Sequence, residues 1–272
     1  MARSVIMPTV FVPHGAGPCF FMDWDPPDTW RAMGDWLRAL PRLVGATPQA
    51  LLLVSAHWEA PRFAVNGRAH PGLLFDYGGF PPHTYELRWP APGAPALAER
   101  AAQLLAGAGI EIEIEQRRDW DHGVFIPMML AFPQADVPVL QLSLRAGLDP
   151  AEHLAVGRAL APLREEGVLI VGSGMSYHNL RAFFSGSPAV LAASRSFDDW
   201  LAETVACPAP EREARLQRWQ EAPAALASHP RAEHLLPLHV VAGAAGGDPG
   251  AKVFEDVVLG SVQSACLFGA AA

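Results

Sequence analysis

Five of the ten histidines in this chain stand where a fold could hold them rigidly. His14 closes the apolar run Val10-Phe11-Val12-Pro13, and His57 follows Leu51-Leu52-Leu53-Val54-Ser55-Ala56. His178 follows Val168-Leu169-Ile170-Val171 through the turn Gly172-Ser173-Gly174. His122 sits in Asp119-Trp120-Asp121-His122-Gly123, and His234 opens an expected helix. A neutral imidazole offers a lone pair to a metal or takes a proton near pH 7. In open α/β sheets, side chains at the carboxyl ends of strands meet in one crevice. Imidazoles brought there from distant parts of the chain suggest a mononuclear metal site with positions left open for substrate.

Each of these residues also has a plainer reading. A lone histidine is most often a hydrogen-bonded structural residue, but His14 and His57 both end buried strands, which brings the ligand reading level with the structural one. Glu59 is either a partner that orients His57 or a surface charge. His122 is a general acid/base or a helix-capping loop residue. The glycines before His178 allow the backbone to approach a ligand closely; a phosphate loop is disfavoured because no Gly-Lys-Ser/Thr follows. Glu233 and His234 are adjacent, so one of them is expected to face a shared site. His239 reads as core, His229 as a turn cap, His70 and His153 as surface, and His83 as a substrate contact or a loop residue. Cys19 reads as a small semi-buried residue or a neighbour of His14.

The elements that must position these groups alternate. Strands are expected over 10–12, 51–55, 62–66, 110–114, 137–144 and 168–171, and a terminal hairpin over 253–259 and 263–268. Helices are expected over 28–40 with Asp28 as N-cap, 94–106, after Gly123, 150–163, 189–221 with a break at Cys207-Pro208, and 233–245. Residues 68–93, rich in Gly, Pro and aromatics, read as a functional loop. This order implies one α/β domain over residues 1–272, with a mixed, mostly parallel central sheet and helices on both faces.

Composition narrows the classes. Half of the 272 residues are hydrophobic and 18% are charged, enough apolar material for a sizeable core. The formal net charge is -8 and Lys252 is the sole lysine, so no basic stripe marks a nucleic-acid partner. No apolar run reaches the about 18 residues of a membrane span. The start, Met1 to Pro8, has no signal-peptide core and is expected to lead straight into a strand. Three widely spaced cysteines argue against a disulfide framework and for a reducing cytoplasm. A homo-oligomer is compatible with all of this.

The motifs together resemble a known family. Val12-Pro13-His14-Gly15-Ala16-Gly17-Pro18 is similar to the opening of the DOPA-dioxygenase-type, LigB-like extradiol ring-cleaving enzymes. These are class III ring-opening dioxygenases related to the catalytic subunit of protocatechuate 4,5-dioxygenase. The similarity continues through Ser55-Ala56-His57-Trp58-Glu59, Asp76-Tyr77-Gly78-Gly79-Phe80-Pro81 with Tyr85, and Asp121-His122-Gly123. It runs on through Pro138 to Ser143, Gly172-Ser173-Gly174 with His178-Asn179-Leu180, and Glu233-His234-Leu235-Leu236-Pro237-Leu238, nearly the whole chain in order.

The resemblance implies one divalent metal ion, Fe(II) for activity, with Zn(II) as an alternative occupant. It implies His14, His57 and His234 as metal ligands. His178 would be the acid/base residue, sometimes counted as a fourth ligand, and His122 a second catalytic histidine. The expected reaction uses O2 to open a small aromatic diol next to its hydroxyls. Tyr77, Phe80 and Tyr85 would wall a single-ring catechol with at most one acidic group, which Arg88 could pair. Two departures stand out. The familiar opening reads Ser-His-Gly-Ser-Pro, whereas this chain has Pro13-His14-Gly15-Ala16-Gly17-Pro18. Related enzymes also use a carboxylate as third ligand, which keeps Glu233 open beside His234. The competing classes are a zinc hydrolase, separated by whether catechols drive O2 consumption, and a non-catalytic binding protein, disfavoured because every site histidine is present.

Overall fold

The long run Ala50–Ala60 is the spine of the fold. It alternates Leu51 and Leu53 into one apolar core with Leu52 and Val54 into another, so both faces of the strand must be covered. A computed structural model describes residues 6–269. The expected lead-in over residues 1–5 lies outside the described residues.

Among the described residues eight strands form one mixed sheet: β1 (Thr9–Pro13), β2 (Ala50–Ala60), β3 (Phe63–Asn66), β4 (Ile112–Glu115), β5 (Val139–Arg145), β6 (Val168–Gly174), β7 (Gly250–Val258) and β8 (Ser261–Phe268). Their order is β4-β3-β5-β2-β6-β1-β8-β7. The central strands β5, β2, β6 and β1 pair in parallel, and the β7–β8 hairpin adds antiparallel strands at one edge. The helices are α1 (Arg31–Val44), α2 (Pro95–Gly107), α3 (His122–Ala131), α4 (Pro150–Leu160), α5 (Leu180–Phe183), α6 (Pro188–Ala206), α7 (Ala209–Gln217), α8 (Ala225–Ser228) and α9 (Leu236–Ala245). Residues of α1 and α3 share one core with Leu51 and Leu53; residues of α2, α4 and α9 share the other with Leu52 and Val54. The expected fold class is therefore the observed one.

Several local expectations shift. α1 starts at Arg31, because Asp28 is spent in a turn in which its carbonyl accepts from Arg31 N at 3.0 Å. Asp149 caps α4, its carboxylate accepting from Ala151 N at 2.7 Å and Glu152 N at 3.1 Å. β2 is eleven residues long, so His57 and Glu59 lie within the strand rather than after it. α9 begins at Leu236, leaving His234 in the turn that precedes it. His153 is buried rather than on the surface, because α4 packs its ring against Phe63 of β3, with centroids 5.1 Å apart. Among the described residues no helix is long and apolar enough to cross a membrane.

Two devices aim residues at the carboxyl ends of the central strands. Between Val54 and Glu59, five residue steps of β2 oppose only two of β5, from Leu142 to Leu144. Such a bulge re-aims side chains, and this one carries His57. The second device is Gly174 at the end of β6. A Cβ there would collide with the carbonyl oxygen of His234, so only glycine lets the turn before α9 come this close. Met175 N then donates to that carbonyl at 3.1 Å, and His14 N donates to Gly174 O at 3.1 Å. The glycines before His178 thus admit a piece of the protein's own backbone, where a ligand was anticipated.

Candidate metal centre

Five histidines from five parts of the chain meet above β1, β2 and β6. His14 follows β1, His57 rides the β2 bulge, His122 begins α3, His178 follows β6, and His234 precedes α9. The ligand atoms of His14, His57 and His122 lie within 4.8 Å of one another, as do those of His178, Glu233 and His234. The ring centroids of His14 and His234 are 5.2 Å apart, which joins the two groups into one cluster.

The hydrogen bonds assign the protons. His14 Nδ1 lies 2.9 Å from Gly15 O, and His234 Nδ1 lies 3.0 Å from Glu233 Oε1. Those oxygens only accept, so both Nδ1 atoms carry hydrogen and both Nε2 atoms present lone pairs. His122 donates in the same way from Nδ1 to Asp76 Oδ1 at 2.8 Å. Burial holds His14 and His234 well below the ordinary histidine pKa, and neighbouring imidazoles push the same way. His57 is lowered to about 4, first by burial and then by His122. All three are neutral at pH 7, the form that binds metal.

The cluster leaves an unmet need at its centre. His234 Nε2 is buried and has no hydrogen-bond partner. His14 Nε2 and His57 Nε2 face each other at 3.2 Å. Two nitrogens about 2.1 Å from one ion lie about 3.0–3.4 Å apart for octahedral to tetrahedral angles. The donor set and its spacing fit a divalent cation.

Ring separations divide the five histidines. Imidazoles sharing one ion should have centroids about 4.5–5.3 Å apart, from the metal–nitrogen distance plus the ring radius. His14–His57, His57–His234 and His14–His234 stand at 4.8, 5.0 and 5.2 Å, a nearly equilateral triangle. His122 lies 3.9 Å from His57, and His178 stacks on His234 at 3.3 Å with a 16° interplanar angle. These two lie against the triangle's rings, closer than ligands of one ion would sit.

Two carboxylates organise the cluster from behind, and spacing gave neither a role. Asp76 accepts from both the backbone N and the ring of His122, and its other oxygen is 3.8 Å from His57 Nδ1. Burial alone would raise its pKa, but the His122 bonds bring it below the ordinary value. Asp121, fully buried, accepts from Ser55 Oγ at 2.6 Å, from Arg118 Nη2 at 2.8 Å and from Gln141 Nε2. Ser55 Oγ accepts from His57 N at 3.2 Å, and Arg118 Nη2 donates to His57 O at 3.1 Å. Asp121 thereby holds both backbone groups of His57. A buried charge needs such partners, and an acidic residue just before a site histidine was the available signal.

The cluster opens into a cavity of about 240 Å³. Tyr77 and Phe80 line it, as expected; Tyr85 does not, and instead packs on Tyr77 at 5.3 Å. Met175, Leu180, Phe183 and Phe184 also line it, and none was foreseen. His83 is exposed, with Nε2 on Phe21 O at 3.0 Å, and Arg88 is exposed; neither lines the cavity. Glu59 turns from His57 and grips Arg231 at 2.6 and 2.5 Å. His239 is core as expected, bonded to Leu216 O at 2.9 Å, and His229 is fully buried, bonded to Ser176 O at 2.8 Å. Cys19 is buried beneath Gly15 outside the cavity.

Residues 8–268 match the family model of the catalytic LigB subunit of aromatic ring-opening dioxygenase. A 4,5-DOPA dioxygenase extradiol of Beta vulgaris is 36% identical over 95% of this chain and 94% of its own length. One of Escherichia coli K12 is 33% identical over 96% of this chain and 93% of its own. A crystal structure of an uncharacterized protein from Escherichia coli K12 superposes with a TM-score of 0.78 at 30% identity, covering 97% of this chain and all of that one.

Proposed function

This chain belongs to the family of catalytic LigB subunits of aromatic ring-opening dioxygenases and is an extradiol ring-cleaving enzyme; from that premise we propose that it opens a single-ring catechol at Fe(II) held by His14, His57 and His234. The observation that carries the ligand set is the triangle of neutral imidazoles at 4.8, 5.0 and 5.2 Å. Glu233 lies on the Nδ1 side of His234, which supports His234 as the ligand and the carboxylate as its orienting partner. The three cysteines are all free, in keeping with a reducing, cytoplasmic setting.

The reaction joins one catechol and one O2. A ring C–C bond beside the diol breaks, both oxygen atoms stay in the product, and no external reductant is consumed. His14, His57 and His234 would hold the Fe(II), which when bound would supply the redox chemistry between diol and O2. The chain's own residues do the rest. Tyr77 and Phe80 flank the flat ring and exclude water. His178 lines the cavity and takes a catechol proton, later returning it to the product. Its Nδ1 is 3.5 Å from Glu233 Oε1. Burial would raise the Glu233 pKa, but contact with His178 and Arg231 holds it below normal, so a carboxylate stands beside the His178 ring. Stacking on His234 supports this proton-transfer role over that of a fourth ligand. His122, locked on Asp76, presents Nε2 as a second acid/base group.

The test is anaerobic reconstitution with Fe(II), followed by O2 uptake and ultraviolet-visible spectra across a panel of catechols. One O2 consumed per catechol, with a yellow ring-opened product, is expected. Absence of uptake with every single-ring catechol would overturn the substrate reading.

A further inference from the structure

The walls of the cavity carry more information than its histidines. Apart from those histidines, its one polar side chain is Tyr77, whose hydroxyl is turned outward to donate to Thr84 O at 2.6 Å. Ala16 and Gly17, where the opening motif departs from the familiar serine, present a methyl group and bare backbone. Among the described residues no lysine or arginine lines the cavity. With the histidines committed to metal and protons, nothing inside is left to pair a carboxylate or an ammonium group. A buried charge without a partner is costly.

The apolar lining continues outward. Phe183 is buried in the wall, and the Phe184 ring meets it edge-on at 5.4 Å. Leu180 and Phe184 also line the cavity, yet they are 63% and 67% exposed. Single exposed apolar residues are ordinary. Two that border one cavity mouth and continue a buried aromatic wall form a platform.

Arg181 and Arg231 do not line the cavity; they line a neighbouring depression that shares His178 and Leu180 with it. Arg231 is held by both oxygens of Glu59 and stands 3.3 Å from Glu233 Oε2. Arg181 alone could meet an acidic substituent, and only at the rim.

We propose that the preferred substrate is a catechol bearing an uncharged, apolar alkyl or aryl substituent, selected by Leu180, Phe183 and Phe184. This rests on the catechol reading above and gives it a substrate class. The ring lies between Tyr77 and the histidines with its diol toward His14, His57 and His234. The substituent points away from the diol and runs out over Leu180 and Phe184.

The experiment measures two quantities across catechol, 4-methyl-, 4-ethyl-, 4-propyl- and 4-butylcatechol and 3,4-dihydroxyphenylalanine. One is the Kd on the Fe(II)-loaded enzyme under nitrogen, by calorimetry; the other is kcat/KM for O2 uptake. Affinity and kcat/KM should rise by up to about fourfold per methylene, and the amino acid should be the poorest of the set. Leu180→Ser and Phe184→Ser replace exposed residues and should flatten the series; Arg181→Ala should leave its slope unchanged. A flat series in the wild type would overturn the proposal. So would a preference for the amino acid that Arg181→Ala removes. If affinity climbs with chain length but no catechol drives O2 uptake, the apolar selection stands and the reading of a single-ring catechol as the cleaved substrate is the one that fails.

Discussion

Replacing Asp121 should damage stability and the metal centre together, by an amount its contacts define. The carboxylate is fully buried and accepts from Ser55, Arg118 and Gln141. In Asp121→Ala the Arg118 guanidinium loses its only carboxylate, while its Nε already lacks a partner. Gln141 loses its amide bond too, and its Oε1 is already unpartnered. Breaking a buried charge pair costs about 3–5 kcal/mol. The Arg118 side chain keeps 19% exposure and can recruit water, which places the change near about 3 kcal/mol. Asp121→Asn should cost about 1–2 kcal/mol. Its amide can donate to the Gln141 Oε1 once that side chain flips, and its oxygen still serves Ser55 or Arg118. Because Ser55 and Arg118 hold the His57 backbone, the alanine variant should also weaken metal binding by about 10–100-fold. Urea unfolding of the metal-free protein and a metal titration read the two effects. The reasoning is refuted if Asp121→Ala costs under about 1 kcal/mol, or if the asparagine variant is equally costly. In a double-mutant cycle, adding Arg118→Met to Asp121→Ala should cost clearly less than the sum of the single changes.

Three further outcomes follow from the same geometry. His57→Ala should lose stoichiometric metal by elemental analysis, and full occupancy would remove His57 from the ligand set. His178→Gln should keep most of the metal while turnover falls by about 10²–10⁴-fold; near-normal turnover would exclude His178 from proton transfer. Buried His153, which the fold lowers to about 4 from 6.5, makes stability depend on pH. Its folded pKa is depressed, so the unfolded chain binds the extra proton first. Its contribution is complete above pH 6.5 and is lost as pH falls from there toward 4. From pH 7.5 to 5.5 this one residue should lower unfolding stability by about 1 kcal/mol. His153→Gln should shrink the difference in urea midpoint between those pH values, and an unchanged difference would show that His153 does not titrate on unfolding.

The sequence by itself determined the apolar strands, the alternation with helices and the identity of the five clustered histidines. Runs such as Leu51–Val54 and Val168–Val171 are buried on both faces wherever they sit, and Gly167 and Gly172 bracket the second, so local pattern suffices. The motifs around His14, His57, His122, His178 and His234 carried the resemblance to ring-opening dioxygenases for the same reason: they are short strings read in order. Tertiary structure alone decided how those histidines sit relative to one another. The triangle of His14, His57 and His234, with His122 and His178 stacked against its rings, depends on distances between residues far apart in sequence. The β2 bulge that aims His57 exists only in register against β5, and the fit of His234 against Gly174 only once α9 docks on β6. His153 looked like a surface residue until packing against Phe63 buried it. Asp76, Asp121 and the Leu180–Phe184 platform acquired their roles in the same way, because burial and partners are properties of assembled elements and not of local sequence.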